Sequence, residues 1–381
     1  MQATASTATT LRVATAVLLV CAWPTAGWAE PAMAVSRAPV LKPWPEVLFD
    51  AAMRRGIEIT LKLKDSDVLF VEDGRDRTAA LNLARHLAKK LKLSPEAAPP
   101  VEVVVTGRFR AASASRPDSI VISPAVGGRS DDPILVGASA AHQNVSAGTL
   151  GCIVRRQDGL YALGNYHTFA AMEEGRKGEP IVSPARGQRD GRQPEAIARL
   201  EDFERLDLTA HAQNTMDAAV AKLLYPERLS SGTQIAGRYG APRTEAIQAQ
   251  ARQPVMKYGA ATKLSRGTVC GTAEYASVWY GDTKVHFVDQ IVISGDDFAR
   301  AGDSGSLVVV ADCEDLRSCP DHRRPVGLVF AASDRKSIEG ELEECPGNRL
   351  VLANPISVVL KRFQATIEGQ AEGASSGTNQ P

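Results

Sequence analysis

The chain lacks an excess of charge of either sign: Lys plus Arg and Asp plus Glu each number 44 in 381 residues. That balance gives no reason to expect nucleic acid or an anionic membrane as the main partner. It also lacks CxxC and HExxH spacings and a glycine-rich phosphate loop. No metal and no other cofactor is therefore expected. There is no internal repeat. The apolar run at 13–23, VATAVLLVCAW, is too short to cross a bilayer, which takes roughly 20 residues. No membrane span is expected.

Against these absences stands an ordinary globular composition, 44% hydrophobic and 23% charged, in a length that suits roughly two domains. The N-terminus has a positive charge, the short apolar run, Pro24, and then small residues around Ala29 and Ala34. This is the layout of a secretory signal over residues 1–29, and it predicts export to a periplasmic or extracellular space. Removing it deletes Cys21 and leaves Cys152, Cys270, Cys313, Cys319 and Cys345. An odd number in an oxidising compartment leaves at least one thiol free or paired between chains. The weighed pairings are Cys152–Cys270, Cys313–Cys319 and Cys313–Cys345, with a buried free Cys152 as the competing state of that residue.

Residues 30–45 read as a linker. Residues 46–110 read as a small α/β unit. Its strands are IEITLKL (57–63) and VEVVVTG (101–107), and between them lies an amphipathic helix over 74–93. Residues 111–147 read as linker or loops. From 148 to 365 many short apolar runs separated by turn residues predict a mostly β, closed architecture. Gln157-Asp158-Gly159 between two such runs signals a hairpin. NPISVVLKRFQ (354–364) predicts a closing helix, and 366–381 a polar tail.

One stretch raises a chemical question. Residues 298–310 read FARAGDSGSLVVV, with Ser304 set between glycines. A serine hydroxyl is a weak nucleophile unless a base, itself held by a third group, stands beside it. Of six histidines, His167 fits the base best. It follows the hairpin strand LYALGN and precedes a short apolar segment. His86 lies within the helix, His142 in the loop-rich stretch, and His286 alternates as a strand residue. His211 sits only six residues before Asp217, with no hairpin ahead of it. For the acid, Asp217 opens the apolar run MDAAVAKL, with Asp207 as runner-up. The order His167, Asp217, Ser304 disagrees with an α/β-hydrolase. There a Gly would occupy position 306, and the histidine would follow the serine at a distance that His322 does not offer.

These segments resemble the chymotrypsin/trypsin superfamily of serine peptidases. GDSGS is similar to its GDSGG nucleophile motif, with Ser306 for Gly, and PVGLVFAAS (325–333) is similar to the strand lining its substrate channel. Closer still is a bacterial and plant trypsin-like branch whose motifs run GTLG, NNHVLA, NxVDAAIA, VxKxGRTTGxTxGxV and GDSGSL. Here they read GTLGCIV, ALGNYHTFA, NTMDAAVA, VMKYGAATKLSRGTVCG and GDSGSL, over about residues 148–362. Tyr166 stands for Asn, Thr168-Phe169 for Val-Leu, and Gly259-Ala260 lacks the Arg.

The resemblance implies a double β-barrel domain preceded by the small α/β unit. It implies a His167–Asp217–Ser304 triad acting on a polypeptide substrate, and an oxyanion hole from the Gly302 and Ser304 amides. It implies a substrate pocket bordered by Phe298, Phe330 and Ala331, with small or apolar preference. No IVGG-like segment is present to become a new N-terminus, so Asp303 is expected to take no part in that form of activation. An inactive scaffold of the same fold and a serine esterase are the alternatives. Oligomeric state is left open.

Overall fold

A computed structural model describes residues 43–370, except 65, 96–97, 99–100, 112–132, 173, 189–191, 230–239, 312–318, 335–344 and 346. The signal expected over 1–29 and the tail from 371 lie outside the described residues. Among the described residues, no helix is long and apolar enough to cross a membrane.

The chain is mostly β, as its strand spacing predicts, and the strands form two sheets. The first takes β5 (Ala141–His142), β6 (Cys152–Arg156), β7 (Gly159–Gly164), β8 (Pro180–Ser183), β9 (Glu195–Phe203), β10 (Ala219–Leu223) and β18 (Thr366–Ile367). Their order is β18-β6-β7-β10-β9-β8-β5. The hairpin signalled by Asp158-Gly159 is β6–β7, and Gly159 turns it with φ of +146°.

The second sheet contains β11 (Pro254–Gly259), β12 (Lys263–Tyr280), β14 (Gln290–Ser294), β15 (Leu307–Val310), β16 (Pro325–Ser333) and β17 (Leu350–Pro355). The order is β11-β15-β16-β17-β14-β12, and β12 pairs back onto β11, so these six strands close on themselves. Closure removes unpaired edges and encloses Val255, Val269, Ile293, Val308, Val329 and Val351. After β17, helix α4 (Ile356–Phe363) buries Ile356, Val359 and Phe363.

β12 is long enough to serve two partners sets. Its first half belongs to the closed ring. Its second half runs on and pairs with β13 (Thr283–Phe287), with β1 (Ile59–Leu63) and, in parallel, with β4 (Phe109–Ala111). Through β1 the sheet gains β2 (Leu69–Val71) and β3 (Val103–Val105). Helices α1 (Trp44–Arg54) and α2 (Gly74–Lys90) cover these strands with Leu48, Ala52, Ala80 and Leu83. Asp73 caps α2 by accepting from the Arg75 and Asp76 amides at 2.7 and 3.1 Å.

Two of the cysteine pairings need correction. Cys270 bonds to Cys345, across 75 residues, so neither Cys152–Cys270 nor Cys313–Cys345 forms. Cys152 is a buried free thiol whose pKa burial pushes well up. Cys319 is disulfide-bonded, and Cys313 lies outside the described residues.

Candidate active site

β7 and β10 are antiparallel neighbours, with Gly164 opposite Ala219. The exit of one strand is therefore the entrance of the other. Three residues past Gly164 comes His167, in the short helix α3 (Tyr166–Phe169); two before Ala219 comes Asp217. Sheet register alone brings together two residues 50 positions apart. His167 Nδ1 lies 2.5 Å from Asp217 Oδ2, and the His167 amide donates to Oδ1 at 3.2 Å. Both side chains are buried.

The Asp217 peptide is clamped as well. Asn354 on β17 accepts from the Asp217 amide at 3.0 Å and donates to its carbonyl at 2.9 Å. Asn165 donates to the same carbonyl at 2.7 Å. A third side chain reaches the carboxylate: the Tyr280 hydroxyl donates to Oδ2 at 2.6 Å. Burial first, and the adjacent carboxylate second, hold the Tyr280 phenol well above its ordinary pKa. An acceptor at Nδ1 favours the tautomer in which Nδ1 carries a proton and Nε2 presents a lone pair. Among the described residues Nε2 has no hydrogen-bond partner.

Ser304 lies in the turn between β14 and β15, flanked by Gly302 (φ +100°) and Gly305 (φ +94°), conformations that a Cβ resists. The turn abuts the first sheet. The Thr149 amide donates to the Ser304 carbonyl at 2.8 Å, and Thr149 Oγ1 donates to the Gly302 carbonyl at 2.7 Å. A Cβ on Gly305 would press on the Thr149 carbonyl and stand 3.5 Å from the Gly164 Cα, at the end of the strand that leads to His167. The Gln188 carboxamide covers Gly302, held by Ser139 Oγ and the Gly148 amide at 2.9 and 3.2 Å. Ser304 is buried, and its Oγ donates to the Phe330 carbonyl at 3.4 Å. So His167 and Asp217 are in contact, whereas the serine hydroxyl is bonded within its own sheet.

The residue before the serine organises the turn. Buried Asp303 accepts from the amides of Ala261, Thr262 and Arg300 at 3.0, 3.1 and 3.0 Å, and from Thr262 Oγ1 at 2.8 Å. Lys257 on β11, also buried, places Nζ 3.3 Å from Asp303 Oδ1 and donates to Thr262 Oγ1. Burial pushes the Lys257 ammonium below its ordinary pKa, and the Asp303 charge opposes that.

Phe298, Phe330 and Ala331 are all buried. Phe298 packs with the ring-closed core around Val255 and Val269, and Phe330 lies against Phe287 at 4.8 Å. The other candidates lie elsewhere. His211 and Asp207 are exposed, and Asp207 accepts from the Thr209 amide at 2.9 Å. That bond lowers the pKa of Asp207. His142 contacts Glu179, His286 Nδ1 is hydrogen-bonded with the Tyr275 hydroxyl at 2.8 Å, and His322 contacts the Cys319 carbonyl. His86 is exposed on α2.

Sequence reasoning did not single out Tyr280, Lys257, Asn354 or Gln188. For Lys257 a signal existed: a lone cation inside the apolar strand VMKYG. For Tyr280 there was none, because its partner lies 63 residues away.

No protein-family model matches the chain, and no curated protein does. Among solved structures it is similar to a glutamic acid-specific serine protease, at 16% identity and a TM-score of 0.41, covering 61% of this chain and 100% of that one. It is similar to the chymotrypsin of Cellulomonas bogoriensis at 15% identity and 0.39, covering 62% and 100%. The protease domain of MamO from Magnetospirillum magneticum follows at 12% and 0.32, covering 60% and 96%. Likenesses this remote assign neither residues nor chemistry. The chain's own strand topology makes the fold mostly β, with two sheets and the second closed into a ring.

Proposed function

We propose that the protein is a serine hydrolase that cleaves peptide bonds in polypeptides through Ser304, His167 and Asp217. The observation that carries this is the buried His167–Asp217 contact with Nε2 left bare, three residues past Gly164, the end of β7 that lies against the Ser304 turn. In the reaction, rotation of the Ser304 side chain brings Oγ to Nε2. Oγ attacks the carbonyl carbon and its proton passes to Nε2. The Gly302 and Ser304 amides receive the developing oxyanion, each donor contributing about 2.7–4 kcal/mol. The imidazolium, stabilised by Asp217, gives its proton to the leaving amine, and water then cleaves the acyl-enzyme by the same route. Export, with residues 1–29 as the removed signal, belongs to this reading. So does the division into a small α/β N-terminal domain at 46–110 and a peptidase domain at 148–365.

The test is covalent labelling of the purified mature protein by a fluorophosphonate, mapped to Ser304 and absent in Ser304→Ala. One observation favours a second reading, an inactive scaffold: Ser304 Oγ is bonded to the Phe330 carbonyl rather than to His167. A wild-type protein that resists the probe would establish that reading. A labelled protein that turns over esters but not peptides would make it an esterase.

A further inference from the structure

Tyr280 ends β12, at the tip of the extension that leaves the closed ring. Its hydroxyl and His167 Nδ1 converge on one oxygen of Asp217, at 2.6 and 2.5 Å. Its ring meets the His167 ring edge-on at 5.7 Å and leans on Phe287 at 6.3 Å. The placement is braced on both sides. β1 pairs with β12 at Ala276, and β4 pairs with Val278 and Trp279, whose ring carries the Arg108 guanidinium at 4.5 Å. On the other side the hairpin partner β13 is tied to the segment that presents Asp217. Asn214 donates its amide to the His286 carbonyl at 3.2 Å, and the Val288 amide donates to the Asn214 carbonyl at 3.0 Å.

We propose that Tyr280 is a positioning residue: its hydroxyl holds the Asp217 carboxylate in the plane of the His167 ring and sets how strongly that carboxylate attracts a proton on the imidazole. A carboxylate oxygen shared between two donors carries less free negative charge than one serving a single donor. Without the phenol, charge returns to Oδ2, the imidazolium is stabilised, and His167 keeps its proton to higher pH. The carboxylate also gains freedom to turn away from Nδ1. The ionisable groups that face Tyr280 are Asp217 itself, the His167 ring and Tyr166 on α3; from β13 it meets the apolar Phe287. The catalytic consequence rests on the hydrolase reading. The effect on the imidazole does not.

The experiment therefore reads both. The His167 ring is titrated by NMR in the wild type, in Tyr280→Phe, and in a protein with 3-fluorotyrosine at position 280, a stronger donor of the same shape. In parallel, peptide hydrolysis and the rate of fluorophosphonate labelling are measured. Tyr280→Phe keeps the ring and its packing and should raise the His167 midpoint by roughly half to one pH unit. The acid limb of kcat/KM should move up with it. Turnover and labelling should fall roughly ten- to a hundredfold, the loss of one hydrogen bond to a charged group, with KM little changed. The fluorotyrosine protein should shift the midpoint the other way. Should Tyr280→Phe fail to fold, the fluorotyrosine titration decides alone. A His167 midpoint unmoved by these replacements overturns the proposal. Midpoints that move as stated in a protein that is neither labelled nor active support the role of Tyr280 and refute the hydrolase reading instead.

Discussion

The two halves of the candidate site are built by different physics. The base half, His167 with Asp217, is a hydrogen-bonded assembly. Asn165, Asn354 and Tyr280 surround the acid with neutral donors and acceptors, and every contact is short. The nucleophile half, the turn 302–305, is held by backbone conformation and a buried ion pair. Two glycines at positive φ shape it, and Lys257–Asp303 pins the loop that wraps it. The neutral bonds of Asn165 and Asn354 to the Asp217 peptide each contribute modestly, and losing one leaves the rest in place. A buried charge pair is different: either partner alone is a desolvated charge, so its removal is felt throughout the turn. The base half should therefore fail in chemistry before it fails in stability, and the nucleophile half in the reverse order.

The largest expected effect concerns the triad atoms. Ser304→Ala should abolish fluorophosphonate labelling, and His167→Ala and Asp217→Asn should each lower peptide turnover by about 10⁴-fold or more. All three should leave the circular dichroism spectrum unchanged. Turnover that survives His167→Ala would move the base elsewhere.

Next come the ion-pair variants. Lys257→Met leaves Asp303 buried and unpaired, and should cost about 3–5 kcal/mol in urea unfolding. A single variant as stable as the wild type would show that the pair does not hold the turn.

A smaller effect is expected with pH. Tyr280 is neutral in the folded protein, and its pKa there lies above the ordinary phenol value of about 10. The unfolded chain releases that proton more readily, so above pH 10 folding stability falls as pH rises; below it the contribution is fully present. Tyr275, buried beside β13, is raised for the same first cause and adds to the fall. Thermal melts between pH 9 and 11 should show the decline, and Tyr280→Phe should make it shallower.

The smallest effects sharpen the contrast by their absence. His211→Ala and Asp207→Asn alter exposed groups away from the His167 contact, and each should leave peptide turnover within a factor of about two. A dead His211→Ala beside a live His167→Ala would reverse the assignment of the base.

Local and periodic features were legible in the chain alone. The helix over 74–93 appears as Gly74–Lys90, and the Asp-Gly hairpin as β6–β7. The His167–Asp217 contact was reachable too, because one residue follows a strand-like run and the other precedes one. Contacts that depend on how distant segments dock were not legible. Cys270 pairs with Cys345 rather than with Cys152, because β12 places Cys270 beside Cys345 whereas Cys152 is buried in β6 of the other sheet. Alternating apolar residues identify strands without saying which strand a cysteine will face.

What the amino-acid order determined by itself is where strands and turns fall, and which serine sits in a glycine turn, since these follow from side-chain size, branching and φ within a few residues. What only the tertiary structure decided is the company those residues keep. Tyr280 reaches Asp217, Lys257 is buried against Asp303, and the Ser304 hydroxyl is turned to Phe330. Each contact joins segments tens of residues apart, through strand register and desolvation, which act between parts of the chain brought together by the fold.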